Sequence, residues 1–238
     1  MLRILLGLPP RAELGEMQDA VDAMQCVLHQ LQSRISKGHD PEHIWRKHEV
    51  WTKGLIVSLD ELEQSVFLSG HFADRVRKTY QEEMSQQENA NYHRHIYFYK
   101  NGFIRVFSIL DKLGTLMNDL FELHTERAKA HFSFFTVLRQ FRYLGVHLAL
   151  MDKLNTLKEQ YNEPLRHLRK WRNIEIHYMN MEMQDDLSQR DQTLDGKIKL
   201  EDIQERQKDL ELGYRMACET LQASFEYIEL MLRNKYHR

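Results

Sequence analysis

Glycine and proline are scarce in this chain, with ten and four in 238 residues. What fills the space instead is Leu, Met, Glu, Gln, Lys and Arg, all strong helix formers, so an all-α class follows. Cysteine is rarer still: Cys26 and Cys218 lie far apart and match no zinc or redox spacing. They are expected to be buried, reduced side chains of a cytosolic protein. Excess charge is also lacking. With 33 Lys and Arg against 35 Asp and Glu, a net charge of −2 and a pI near 6.7, bulk electrostatics gives no reason to expect nucleic acid as a partner. Any such affinity must come from a local patch. No long apolar run occurs either. The opening MLRILLGLPP is cut off by Pro9 and Pro10, too short for a membrane span and without a cleavage region, so a soluble cytoplasmic protein with no membrane partner is expected. Recognised catalytic patterns are missing too. There is no HExxH or ExxH, so zincin and di-iron sites lack their ligands and no metal site is expected. There is no GxxxxGK[ST] and no GxGxxG to cradle a phosphate, and no Cys or Ser stands in a known nucleophile setting. No cofactor is expected.

What is present is helical periodicity. An apolar content of 42% can bury a substantial core. From Ala12 to about Lys37 the residues Leu14, Met17, Val21, Met24, Leu28, Leu31 and Ile35 form a heptad seam. Gly38 and Asp40-Pro41 end that helix, with Asp40 as the cap of the next. The second helix is expected from Pro41 to about Glu83, with breaks at the capping-box pattern Ser58–Glu61 or at Ser69-Gly70. The polar stretch 85–90 reads as a connection. The third helix, about Asn91 to Lys129, carries the cleanest seam: Ile96, Tyr99, Phe103, Val106, Leu110, Leu113, Met117 and Leu120. Gly102 and Gly114 sit within it as points of close approach. Helices at Ser133–Tyr143 and Val146–Gln160 follow. A polar excursion turns at Asp195-Gly196, and a last helix spans about Glu201 to Asn234. The sum is an antiparallel bundle of long helices. It divides into an N-terminal hairpin over 1–85 and a domain over 91–238, with its core at 91–183 and its C-terminal helix at 201–234.

Chemistry concentrates in Pro164–Met183, PLRHLRKWRNIEIHYMNMEM. Pro opens a helix there. Arg166, His167, Arg169, Lys170 and Arg172 then follow with no acid before Glu175, and Trp171 is interleaved. Asn173 and His177 are one turn apart on one face. Arg172 lies about 140° round the axis from His177, but its long stem can bring the guanidinium alongside. A guanidinium offers paired donors to a phosphate and to the charge that builds in its transition state. An imidazole can move a proton to or from an RNA 2′-hydroxyl or a leaving oxygen. The Arg-to-His spacing itself is uninformative, since it recurs at Arg34/His39 and Arg142/His147. Those two contain Gly38 and Gly145 at helix ends. Only the third lies in uninterrupted helix behind a basic run.

WRNIEIHYM, preceded by the amphipathic NGFIRVFSILDKLGTLMNDL, resembles the HEPN superfamily of all-α domains, in a stand-alone bacterial form. Its signature is Arg, a polar residue, a few more residues, then His, on a late helix. The resemblance covers about residues 91–183. It implies Arg172, Asn173 and His177 as catalytic residues; on that reading the basic run itself offers Arg166, Arg169 and Lys170 as an RNA-binding track. It further implies a homodimer that pools two such helices in one cleft, and metal-independent endoribonuclease activity that leaves a 2′,3′-cyclic phosphate. Many members are toxins with a cognate antitoxin protein, defence nucleases or RNA-processing factors.

Other readings of the same residues stay open. Members of the superfamily that have lost activity bind RNA or a nucleotide, and a helical protein-interaction module would use the Leu14–Ile35 and Leu210–Met231 seams. Arg172 can pair with Glu175 one turn on, and His177 can be an interior imidazole. Trp171 shares a stripe with Ile174 and Tyr178 that suits packing. The run Arg166–Lys170 can be a solvated face or a phosphate track. Asp111 and Lys112 flank the third seam as weak supporting candidates, with surface ion pairing as their plainer role.

Overall fold

The structure, a computed structural model, describes residues 2–12, 14–177 and 199–234. Its helices are α1 Leu2–Leu5, α2 Glu16–Ser36, α3 Ile44–Ala73, α4 Gln86–Leu120, α5 Thr125–Ala128, α6 Phe134–Leu144, α7 Leu148–Gln160, α8 Asn162–His177 and α9 Ile203–Asn234, with a 3₁₀ turn at Gln81–Glu83. The all-α class holds: among the described residues the only extended pairing is one isolated antiparallel bridge, Tyr80 to Lys199. The turn expected at Asp195-Gly196 lies outside the described residues, as does the stretch 178–183 that follows the basic helix.

Several helix ends differ from expectation for local reasons. The helix after Asp40 starts at Ile44, three residues late. His43 takes a left-handed φ of 58°, and the Asp40 carboxylate accepts the N–H groups of Trp45 and Arg46 at 2.9 and 3.1 Å, so it caps across a full turn. Ser58–Glu61 starts nothing. Ser58 Oγ donates back to the Gly54 carbonyl at 2.7 Å inside an unbroken helix, a local bond that competes with capping. Ser69-Gly70 is also continuous, with Ser69 Oγ 3.1 Å from His95 Nδ1. The true connection is residues 74–85, because Ser85-Gln-Gln-Glu88 opens α4. Ser85 Oγ accepts the Glu88 N–H at 3.1 Å, and the Glu88 carboxylate holds the Arg77 and Lys78 N–H groups at 2.6 and 2.8 Å. The polar run is therefore a helix start. At its far end α4 stops at Leu120, and Glu122 and His124 adopt left-handed φ values of 52° and 50°.

Two compact units are present. The first comprises residues 1–60, 107–160 and 215–238; the second comprises 61–106 and 161–214. Helices α3, α4 and α9 each supply residues to both. In the first unit α2 and α9 run in the same direction. Glu16 pairs with Arg215 at 2.9 Å at one end, and buried Arg34 donates to the Leu232 carbonyl at 2.8 Å at the other. In the same unit α3 and α4 form an antiparallel pair, tied by Lys47 and His48 to Asp119 at 2.8 and 2.7 Å and by Lys112 to Ser58 at 2.7 Å. Met17, Ala20, Met24, Val27, Leu28 and Leu31 form the buried stripe of α2. Cys26 falls outside that stripe and is exposed, contrary to expectation, whereas Cys218 is buried as expected. Leu14, expected in the seam, precedes the helix and is 83% exposed.

The second unit repeats the antiparallel pairing of α3 and α4 through Glu61–Arg105, Ser65–Asn101 and Ser69–His95. The expected α4 seam is buried from Ile96 through Met117, and Leu120 is half-buried. Both of its glycines mark close approach: an added β-carbon would lie 2.9 Å from Leu210 at Gly102 and 3.0 Å from the Phe134 backbone at Gly114.

Candidate functional site

Helix α8 belongs wholly to the second unit. Pro164, Leu165 and Leu168 are buried, while Arg166, Arg169 and Lys170 are exposed. That division follows the helical period: 166, 169, 170, 173 and 177 recur at three- and four-residue steps, so they occupy one side of α8 away from its buried leucines. The basic run and the Asn-x-x-x-His positions therefore share a register. His177 is the last residue of the helix; its side chain lies outside the described residues.

Arg172 sits off this stripe by helical position, yet its guanidinium is drawn round to it. Nε and Nη2 donate to Asn173 Oδ1 at 3.3 and 2.9 Å, and both residues are half-buried. The amide oxygen of Asn173 thus orients the cation, where its sequence position suggested a phosphate or the imidazole as the group it would orient. Glu175 accepts from Lys100 of α4 at 3.0 Å. Trp171 packs beneath the Arg206 guanidinium, 4.0 Å from Cζ to the ring centroid, with Lys170 Nζ at 5.5 Å. The packing reading of Trp171 therefore describes its place better than base stacking. His167 Nδ1 lies 2.8 Å from Asp209 Oδ2.

Asp111 and Lys112 belong to the first unit. Asp111 Oδ1 accepts the first N–H of α6, from Phe134, at 2.9 Å, and Lys112 bonds Ser58. Sequence reasoning did not reach Lys100, Glu201, Arg206 or Asp209. Each lies on another element, and nothing in local spacing ties it to α8. Around these residues, burial holds His95 below the ordinary histidine range, and burial with the neighbouring Glu201 pushes the Tyr92 hydroxyl well above its usual value. Among the described residues no group of three or more His, Cys, Asp or Glu stands close enough to hold a metal ion, and no helix is long and apolar enough to cross a membrane.

A late helix that carries Arg, Asn and His on a basic stripe, set in an all-α chain, defines a class of helical domain by fold and motif together. The model of the Cthe2314-like HEPN family matches residues 51–229, and the chain belongs to that family. No curated protein and no solved structure matches it.

Proposed function

We propose that this HEPN protein is a metal-independent endoribonuclease working as a homodimer. Arg172 holds the scissile phosphate, and Asn173 fixes the guanidinium through the hydrogen bonds at 2.9 and 3.3 Å. His177 transfers the proton as the RNA 2′-hydroxyl attacks, leaving a 2′,3′-cyclic phosphate and a 5′-hydroxyl. Arg166, Arg169 and Lys170 track the flanking backbone, where each cation replaces condensed counterions. The observation that carries the reading is the register of α8: the exposed cations, the Asn173 amide and position 177 follow one stripe, and the guanidinium is drawn onto it.

The dimer reading draws on an apolar patch beside that stripe. Tyr97 and Ile104 of α4 are 63% and 36% exposed, and Ile176 of α8 is 53% exposed. Lys100, between the first two, pairs with Glu175, the neighbour of Ile176. A second copy meeting this face would place two motif helices together across a two-fold axis. Purified protein incubated with structured and single-stranded RNA in EDTA tests the proposal. Cleavage is expected, and His177→Ala should slow it by about 10²–10⁴-fold. Cleavage that persists in that variant rejects the assignment. A strict monomer by light scattering removes the shared cleft. Binding lost on charge reversal at Arg166 and Arg169, with no RNA cleaved, marks a silent RNA-binding domain instead.

A further inference from the structure

Positions 167, 171 and 175 of α8 follow at four-residue steps and so form a second stripe, distinct from the basic one. Each meets a charged group from another helix of the same unit: His167 meets Asp209, Trp171 meets Arg206, and Glu175 meets Lys100. Buried Leu165 and Leu168 supply the apolar contact of α8. Apolar contact is non-directional and does not by itself fix how far a helix rolls about its axis. Three polar contacts along one stripe do.

The middle contact is the most firmly built. The Arg206 side chain is only 13% exposed, and its Nη1 lies 3.1 Å from Oε1 of Glu201, whose side chain is 3% exposed. Glu201 Oε2 accepts the Tyr92 hydroxyl at 3.1 Å, and the raised pKa of Tyr92 keeps that hydroxyl a donor. Just before Glu201, the Leu200 N–H donates to the Thr79 carbonyl at 2.8 Å, and Lys199 bridges to Tyr80. A line of fixed groups thus runs Tyr92, Glu201, Arg206, Trp171, and it ends on the residue before Arg172.

The geometry points to Arg206 as a positioning residue for the candidate site. Stacked on Trp171, it sets the roll of α8 and with it the place of the Arg172 guanidinium and the Asn173 amide. It touches no substrate. The inference rests on the ribonuclease reading for one of its two readouts and is independent of it for the other. In the full chain, Arg206→Met removes the charge while keeping the length, and Arg206→Gln keeps a donor for Glu201 if the first variant fails to fold. Steady-state RNA cleavage and the ¹H–¹⁵N resonances of the Trp171 indole and the Arg172 Nε–H are then measured. A small displacement of aligned groups is costly, so kcat is expected to fall about 10-fold or more while KM stays within about twofold. The Arg172 resonance should move, the helical circular dichroism should be retained, and Arg206→Lys should recover part of the loss. A folded neutral variant with an unshifted Arg172 resonance and unchanged kcat overturns the inference. If the wild type cleaves no RNA, the ribonuclease reading fails alone, and the Arg172 resonance decides the role of Arg206: movement supports it and constancy overturns it.

Discussion

Gly213 of α9 faces Leu168 of α8 so closely that an added β-carbon would sit 2.5 Å from Leu168 Cδ1 and 3.5 Å from Val106 Cγ2. Two effects oppose each other when Gly213 becomes Ala. Helix propensity favours Ala by about 1 kcal/mol. Contact opposes it, because carbon atoms prefer a separation of about 3.5–4.0 Å and Leu168 is 0% exposed, with no open side to retreat into. Forcing a methyl into such a core costs about 1–3 kcal/mol. The net expectation is a destabilisation near 1 kcal/mol, or a fall of about 2–4 °C in Tm for a chain of this size. A second background sharpens the test. Leu168→Ala alone should cost about 2–5 kcal/mol, but it removes the clashing methyl. In that background Gly213→Ala should stabilise by about 1 kcal/mol, so the same substitution changes sign. Urea unfolding with unchanged slopes reads both values. Gly213→Ala that stabilises the wild-type chain as much as it does the Leu168→Ala chain would refute the close seating of α8 on α9.

Burial holds His48 and His95 below the ordinary histidine range, so the unfolded chain binds protons that the folded one refuses. Stability is therefore full above the unfolded histidine value of about 6.5 and falls as pH drops below it. Urea midpoints across that window should show the slope, and His95→Gln should flatten it; midpoints independent of pH would contradict the assignment. Asp40→Ala removes both acceptors of the Trp45 and Arg46 N–H groups and should cost about 1 kcal/mol in the same assay. A thiol reagent should label exposed Cys26 at once and buried Cys218 only on unfolding; equal rates would show that the exposure of α2 is wrong.

Much of the fold was legible because burial and helical period coincide. Ile96 to Met117 read as one seam and are one. The misplaced ends share a cause. Ser85-Gln-Gln-Glu88 and Ser58–Glu61 carry the same box pattern, yet only the first caps a helix, because tertiary packing of Leu55, Leu59 and Leu62 carries α3 straight through the second. The exposure of Arg166, Arg169 and Lys170 was legible as a polar helix face, and the shared face of positions 173 and 177 as a four-residue step. The turn of the Arg172 guanidinium towards Asn173 was not legible, since it depends on side-chain torsions. Nor was the partnership of Arg206 with Trp171, since they stand 35 positions apart and no periodic signal spans that interval.

Each compact unit is assembled from separate stretches of chain, and three of the four crossing points, at residues 60–61, 106–107 and 214–215, fall inside α3, α4 and α9. A cut at any of them severs a continuous run of helical hydrogen bonds, and no single cut frees either body whole. The protein is thus indivisible in a practical sense. Gene fragments ending at those points should yield chains that misfold or clump, and the RNA cleavage proposed for α8 should be recoverable only from the intact polypeptide.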